Sequence, residues 1–123
     1  MIIEIDFNSE EAIYIQLCNQ IVMGIATTKL RPGDSLPSVR QMADMLGVNM
    51  HTVNKAYSIL KQDGYLSLDR RRGAVVSVST REKLMEMQEF QRRLQIMMAQ
   101  AYCKDLTRDE MHRIVDYWYD QFE

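Results

Sequence analysis

Residues 36–66 read LPSVRQMADMLGVNMHTVNKAYSILKQDGYL. Two sets of apolar residues recur there at the period of an amphipathic helix. Gly47 separates the two sets, and glycine readily takes the positive φ at which a helix ends. The stretch therefore predicts two short helices joined by a tight turn, the arrangement of a helix-turn-helix. Their buried faces are predicted to be Val39, Met42, Ala43 and Leu46, then Val53, Ala56, Tyr57 and Leu60.

Polar residues mark where both helices begin. Ser38 and Gln41 have the spacing of a capping box, in which the hydroxyl accepts a backbone N–H and the amide reaches back to the cap. Asn49 is placed to cap the second helix. That helix presents a mostly hydrogen-bonding face opposite its buried one, formed by Met50, His51, Asn54, Lys55 and Ser58.

After Gly64 the apolar pattern changes to one typical of β-strands. Residues 65–69 and 74–78 are predicted to form two strands, joined by Arg70, Arg71, Arg72 and Gly73. Three neighbouring guanidiniums repel one another, and we expect them to stabilise nothing locally. A phosphate backbone running past the hairpin tip would supply the missing negative charge. The hairpin is therefore predicted to be a nucleic-acid-binding wing.

The segment from Glu10 to Leu30 is predicted to be a helix that completes a three-helix core. Residues 1–9 are expected to form a short extended lead-in. Residues 1–79 thus predict one winged-helix domain of three helices and a β-hairpin. The inward residues of the first helix are expected to be Ile13, Leu17, Ile21 and Met23 to Ile25.

Residues 80–123 are predicted to form a tail of two helices, which makes the expected fold class α+β and mainly α. Thr107 and Glu110 form a second capping box. A coiled-coil seam that Gln91 interrupts is predicted along Leu84, Met87, Gln91, Leu94, Met98 and Ala101. The apolar face of the last helix is Met111, Ile114, Val115, Trp118 and Phe122. Two helices of this size are too small to bury these faces alone, so they must pack against either the winged-helix domain or a second copy of the chain. We expect a homodimer whose interface includes Leu84, Met87, Leu94, Met98, Ile114 and Trp118.

The composition is that of one globular domain and an appendage. The chain has 123 residues, of which 46% are hydrophobic and 26% charged. No apolar run approaches the roughly 20 residues of a membrane span, and the N-terminus lacks a basic region and a cleavage site. We therefore expect a cytoplasmic protein that has no membrane partner. Cys18 and Cys103 lack disulfide or metal-binding spacing and are expected to be buried free thiols.

The net charge of −2 is unevenly distributed along the chain. Residues 1–30 have one basic and four acidic residues, a net charge of −3. Residues 31–79 have seven basic and four acidic residues, a net charge of +3. Residues 80–123 have seven and nine, a net charge of −2. The positive charge lies on the predicted helix-turn-helix and wing, as a surface that docks to DNA requires.

Several linked motifs, taken in order, resemble those of one protein family. Residues 30–43 read LRPGDSLPSVRQMA, residues 46–60 follow the pattern LGVNxxTVxKAYxxL, and DGYL comes next. Over residues 11–78 the chain resembles the winged-helix domain of GntR-family bacterial transcription regulators. With its short helical tail, it is most similar to the YtrA-type subfamily.

The resemblance implies a set of DNA contacts. It implies that Ser38, Arg40 and Thr52 contact DNA, and that the wing enters the minor groove. Lys55 stands at a position that is usually basic in this subfamily. The complete set of predicted DNA-binding residues is Ser38, Arg40, Met50, His51, Thr52, Asn54, Lys55, Arg70, Arg71, Arg72 and Gly73.

This chain departs from the family pattern at the base-reading positions. Many relatives outside the subfamily have arginines that read guanine where this chain has Met50 and Asn54. The wing has only Gly73 where relatives have two glycines close together. We therefore expect a different readout, in which His51 and Asn54 replace long cationic readers. An amide such as Asn54 can form two hydrogen bonds with adenine, so an adenine is expected in each half-site.

Other kinds of site have less support in the sequence. It contains no glycine-rich phosphate loop, nucleophile elbow, carboxylate pair or metal cluster, so we expect neither an enzyme nor a cofactor. His51 and His112 lack a metal-ligand spacing and are expected to be solvated. Ten methionines can line a pliant ligand pocket, but in helix seams they more often form plain core. Core packing is the expectation, and no small-molecule effector is assigned.

Two hypotheses on function remain. One is a dimeric transcription regulator, and the other is a winged helix that binds another protein. A protein-binding winged helix is expected to lose the basic wing and Arg40, which this chain retains. We therefore favour a repressor that binds double-stranded DNA as a homodimer at an inverted-repeat operator. The subfamily resemblance implies transporter genes as targets.

Overall fold

A computed structural model of the chain describes residues 2–79 and 87–123. The Cα positions form two compact units, Met1–Val78 and Ser79–Glu123. The first unit has the predicted winged-helix architecture, and the described part of the chain is mainly helical with one antiparallel hairpin. The predicted fold class is confirmed. The elements of the first unit are α1 (Ile13–Ala26), α2 (Val39–Leu46), α3 (Met50–Gln62), β1 (Leu66–Asp69) and β2 (Gly73–Val76).

The predicted caps of the helix-turn-helix are confirmed. The Ser38 hydroxyl accepts a hydrogen bond from the N–H of Gln41 at 3.1 Å, and the Gln41 amide oxygen accepts one from the N–H of Ser38 at 3.0 Å. Gly47 ends α2 with a φ of 68°. Residues that have a β-carbon rarely adopt this backbone conformation. Asn49 Oδ1 accepts from the N–H of His51 at 2.7 Å. These contacts set the start of both helices.

The core of the first unit lies between α1 and the helix-turn-helix. Leu17 and Ile21 of α1 and Val53 of α3 are completely buried, at 0% exposure. Burial of such side chains stabilises the fold by about 1.5–3 kcal/mol each. The same cluster includes Leu30, Leu36, Met42, Ala43, Ala56, Tyr57, Leu60, Leu66, Ala74 and Val76.

Helix α1 is shorter than predicted. Ala12 has an extended backbone, with φ −57° and ψ 142°, so the helix begins after the predicted start at Glu10. Thr28 has a positive φ of 61°, which ends the helical path before the predicted end. Met23 was expected to face inward but is 42% exposed. Two residues beyond the buried Ile21, it lies on the opposite side of the helix.

The hairpin is bordered by a third extended segment that the sequence did not predict. β1 and β2 lie close to the predicted strands and pair as far as Asp69 opposite Gly73. Residues 33–36 run along the other edge of β2, where the N–H of Val76 donates to the Asp34 carbonyl at 2.8 Å. Backbone hydrogen bonds on both edges of β2 therefore attach the wing to the domain.

The second unit contains the two predicted helices, α4 (Gln88–Cys103) and α5 (Arg108–Phe122). Thr107 and Glu110 form the predicted capping box at the start of α5. Leu84, a predicted interface residue, lies outside the described residues. The prediction that Met87 belongs to the helical seam is wrong, because its backbone is extended (φ −77°, ψ 102°) and α4 begins after it.

The two cysteines are both free, but their surroundings differ from the prediction. Cys18 is half-buried, and its thiol donates to the Ala56 carbonyl at 3.5 Å. Burial, and secondarily the negative charge of Asp63, raises the pKa of the Cys18 thiol. Cys103 is exposed at the end of α4, so the expectation of a buried thiol is wrong there.

Replacing Leu17 by Ala is expected to lower the free energy of unfolding by about 2–5 kcal/mol, because it leaves a cavity under α1. Urea denaturation of the full chain, followed by circular dichroism, measures the change. Met23→Ala is the matched control in the same helix and is expected to change stability by less than about 0.5 kcal/mol. Equal effects of the two substitutions would contradict the described packing of α1.

Candidate nucleic-acid interface

The first two turns of α3 present the predicted polar face to solvent. Met50, His51, Asn54 and Lys55 are exposed, and Thr52 is half-buried. The opposite stripe of the helix is in the core, so α3 cannot rotate about its axis without exposing apolar side chains. The polar face is therefore held in one orientation.

The start of α2 lies beside this face. Ser38 and Arg40 are exposed, and Val39 between them lines one groove together with Met50 and Asn54. The Ser38 oxygen caps α2, while the hydrogen of its hydroxyl remains able to donate to a phosphate. The structure thus brings residues from two separate parts of the sequence onto one surface.

A hydrogen bond from a buried side chain links α3 to the segment that leads into α2. The Tyr57 hydroxyl donates to the Pro37 carbonyl at 2.8 Å. The hydroxyl is protonated at physiological pH and therefore a donor, and burial raises the pKa of Tyr57 further above its ordinary value. Because Pro37 precedes the cap residue Ser38, this bond positions the start of α2 relative to α3.

One carboxylate organises the hairpin tip. Asp69 Oδ1 accepts hydrogen bonds from the N–H groups of Arg71 at 2.8 Å and Arg72 at 3.0 Å. These two bonds lower the pKa of Asp69. Gly73 follows with a φ of 76°, which favours glycine. The turn presents Arg70, Arg71 and Arg72 as exposed residues.

The three arginines of the tip are not equivalent. The Arg72 guanidinium donates to the Gly33 carbonyl, in the segment that borders β2. The expectation that the cluster stabilises nothing locally is therefore wrong for Arg72. No hydrogen bond or ion pair with another residue of the described ranges engages the side chains of Arg70 and Arg71. Their guanidiniums are the ones left available to an external anion.

One contact at the edge of the polar face was missed by the sequence analysis. Lys55 Nζ lies 4.0 Å from the centroid of the Tyr14 ring, a cation–π distance. Tyr14 is in the first turn of α1. In the same part of the helix, the Gln16 amide donates to the carbonyls of Asp6 at 3.1 Å and Glu11 at 2.9 Å, which attaches the segment before α1 to the helix. No local pattern predicts the pairing, because the two partners are far apart in the sequence.

The remaining sequence expectations concern metals, methionines and membranes. Within residues 2–79 and 87–123, no three His, Cys, Asp or Glu side chains are grouped so that they could hold a metal ion. Met42 is buried as expected, whereas Met45, which is not part of the predicted core stripe of α2, is 68% exposed, and Met97 of α4 is 64% exposed. Among the helices described, none is long and apolar enough to cross a membrane.

The three-helix domain, its hairpin wing and its exposed polar helix face define a winged-helix protein of the DNA-binding class. Residues 13–76 match the family model described as bacterial regulatory proteins, gntR family. The chain belongs to the GntR family and is a transcription regulator with a DNA-binding helix-turn-helix.

Similar proteins assign the chain to the YtrA type within that family. The HTH-type transcriptional repressor YtrA of Bacillus subtilis (strain 168) is 31% identical over 112 residues, which are 89% of this chain and 86% of that protein. The structure of YtrA from Sulfolobus acidocaldarius, a GntR-family transcription factor, is 37% identical with a TM-score of 0.60 and covers 94% of both chains. These relatives are regulators rather than enzymes.

A third similar protein was solved with DNA. AraR(DBD) in complex with operator ORE1 is 26% identical to this chain, with a TM-score of 0.50, over 60% of this chain and 93% of that one. The match covers a smaller share of this chain than the YtrA proteins do.

Replacing Tyr14 by Leu is expected to release the Lys55 ammonium group from the ring. In the parent chain the ring current should shift the ε-methylene protons of Lys55 upfield, and in the Leu variant these protons should return to their usual position. Proton–carbon NMR spectra of the full chain measure the shift. Tyr14→Phe keeps the ring and is expected to keep the shift. Identical Lys55 spectra in the parent and Leu variant would contradict the contact.

Proposed function

We propose that this chain is a dimeric repressor that binds an inverted-repeat operator in double-stranded DNA. The observation that carries the DNA-binding part of the proposal is a single surface built from the start of α2, the exposed face of α3 and the strand that leads to the basic wing. Val39 and Asn54 line one groove with Leu68 of β1, so the three elements adjoin. The complex of AraR(DBD) with its operator supports a role in DNA binding.

The exposed side chains on this surface divide into two groups. Arg40, Lys55, Arg70 and Arg71 are cations suited to phosphate oxygens, which supply affinity but little sequence information. Asn54 is suited to a base edge, because its amide can pair with adenine N6 and N7. Arg72 contributes positive charge near the tip while its guanidinium is bonded to the domain. In this division, cations hold the phosphate backbone and α3 reads the major groove.

The dimer proposal rests on the second unit. No residue within 87–123 is buried, and Leu94, Met98, Ile114 and Trp118 are 44–48% exposed. Contiguous exposed apolar patches mark interaction sites. A homodimer related by a two-fold axis would bury them and would require two-fold symmetric half-sites, with centres about 10 bp apart.

Repression by steric exclusion requires only that the protein occupy the operator. A dimer with its α3 helices in successive major grooves would occupy promoter DNA and compete with RNA polymerase. The repressor function of YtrA of Bacillus subtilis supports the same role here. Transporter genes are the proposed targets, on the strength of the YtrA-type resemblance.

Replacing Arg40 by Ala is expected to weaken operator binding strongly, because Arg40 stands at the start of α2 where base edges and phosphates are both in reach. The probe is a duplex selected by the protein from a random library, titrated at several salt concentrations. The slope of log K against log salt should become less negative by roughly 0.9 per lost phosphate contact. Lys104→Ala, outside the proposed interface, is the control.

A parent chain with a flat salt response would contradict the DNA-binding proposal and favour the protein-binding alternative. A parent chain with a steep slope and an Arg40→Ala variant with unchanged affinity would contradict only the role of Arg40.

A chain that ends at Ser79 is expected to be a folded monomer, because the buried apolar cluster of the structure lies within residues 17–76. Light scattering measures its mass, and circular dichroism its fold. Its affinity for the selected operator should fall by several powers of ten, each equivalent to about 1.4 kcal/mol. If the shortened chain remains a dimer, the interface lies in the winged-helix unit and the proposed role of residues 80–123 is wrong.

A further inference from the structure

A groove on the proposed DNA-binding surface combines apolar with polar side chains. It is lined by Val39, Asn49, Met50, His51 and Asn54. Met50 is 44% exposed, and Val39 is half-buried. Both present aliphatic carbon or sulfur atoms, and the groove contains no side chain that is permanently cationic.

Of the two amides in the groove, that of Asn54 is the one whose donor and acceptor are both without a partner among the described residues. Asn49 Oδ1 is occupied as the cap of α3, where it accepts from the N–H of His51. Asn54 is exposed, and no hydrogen bond to another described residue engages its amide. The Asn54 amide is therefore free to offer both a donor and an acceptor beside the Met50 side chain.

This combination matches an A·T pair rather than a G·C pair. In the major groove an A·T pair offers adenine N7 and N6 together with the 5-methyl group of thymine. Guanine O6 and N7 are best read by a cationic fork, which Met50 and Asn54 lack. The flexible thioether of Met50 adapts well to a small apolar group, and a methyl group has such a shape and polarity.

We propose that Val39 and Met50 bind the 5-methyl group of a thymine in each half-site, and that Asn54 reads the adenine paired with this thymine. The inference rests on the proposed operator binding and adds the chemistry by which the base is chosen. Met50 then contributes base discrimination by apolar contact, at a position where many relatives outside the subfamily have an arginine.

The test removes the methyl group and nothing else. Operators are selected by the full chain from a random duplex library made with thymidine, and in parallel from one made with deoxyuridine. In the thymidine consensus each thymine is then replaced singly by deoxyuridine. One position per half-site should lose about fourfold in affinity, the equivalent of one buried methyl group of about 0.8 kcal/mol. Replacement in both half-sites should lose about fifteenfold.

Variants then assign the effect to the groove. Met50→Ala should bring the affinity ratio of thymine to uracil at that position close to one, whereas Met50→Leu should retain it. Met45→Ala, an exposed methionine of α2 outside the groove, is the matched control and should keep the parent ratio.

The possible outcomes separate the two proposals. If both libraries yield the same consensus and no thymine is sensitive to loss of its methyl group, methyl recognition is wrong and operator binding stands. If neither library is enriched, operator binding is itself wrong. If the ratio persists in Met50→Ala, the methyl group is read elsewhere and the assignment to this groove is overturned.

Discussion

Helix α3 must bury one face and leave the other in solvent, and the rest of the domain depends on that requirement. Val53 is 0% exposed and Leu60 is 1% exposed, while the neighbouring Asn54 and Lys55 are open to solvent. Rotation of α3 by one residue would expose these apolar side chains and bury an amide and a cation. Exposing each apolar side chain, or burying each polar one, would reduce the free energy of unfolding by at least about 1 kcal/mol. The core therefore decides which side chains are available for recognition.

Hydrogen bonds then fix the neighbouring elements against α3. The Tyr57 hydroxyl bonds the Pro37 carbonyl and so positions the start of α2. Backbone bonds from residues 33–36 to β2, with the Arg72 contact to Gly33, hold the wing. The backbone of the proposed interface is thus already ordered in the absence of DNA, which reduces the conformational entropy lost on binding. The long side chains of the remaining cations are left to adjust to the phosphates.

Features encoded by nearby residues could be predicted from the sequence, and features that depend on distant residues could not. The Ser38 and Asn49 caps and the α3 core stripe follow from local spacing, and the structure confirms them. Three contacts join segments that are distant in the sequence, so no local pattern indicates them. They are the pairing of residues 33–36 with β2, the contact of Lys55 with the Tyr14 ring, and the bond from Arg72 to Gly33. The DNA-contacting roles of the site residues stay predictions, because they concern a partner outside the chain.

The second unit has apolar side chains on several faces that remain exposed to solvent. Tyr117, Trp118 and Tyr119 are consecutive and 46–60% exposed, and consecutive helical residues point about 100° apart. Neighbouring aromatic rings are in contact, as between Tyr117 and Trp118, whose centroids are 5.1 Å apart. A helix with apolar groups in three directions needs more than one neighbouring surface. In the proposed dimer a two-fold partner supplies such a surface, and the same symmetry pairs the two α3 helices. Side chains of the second unit then affect operator affinity without belonging to the proposed DNA-binding surface.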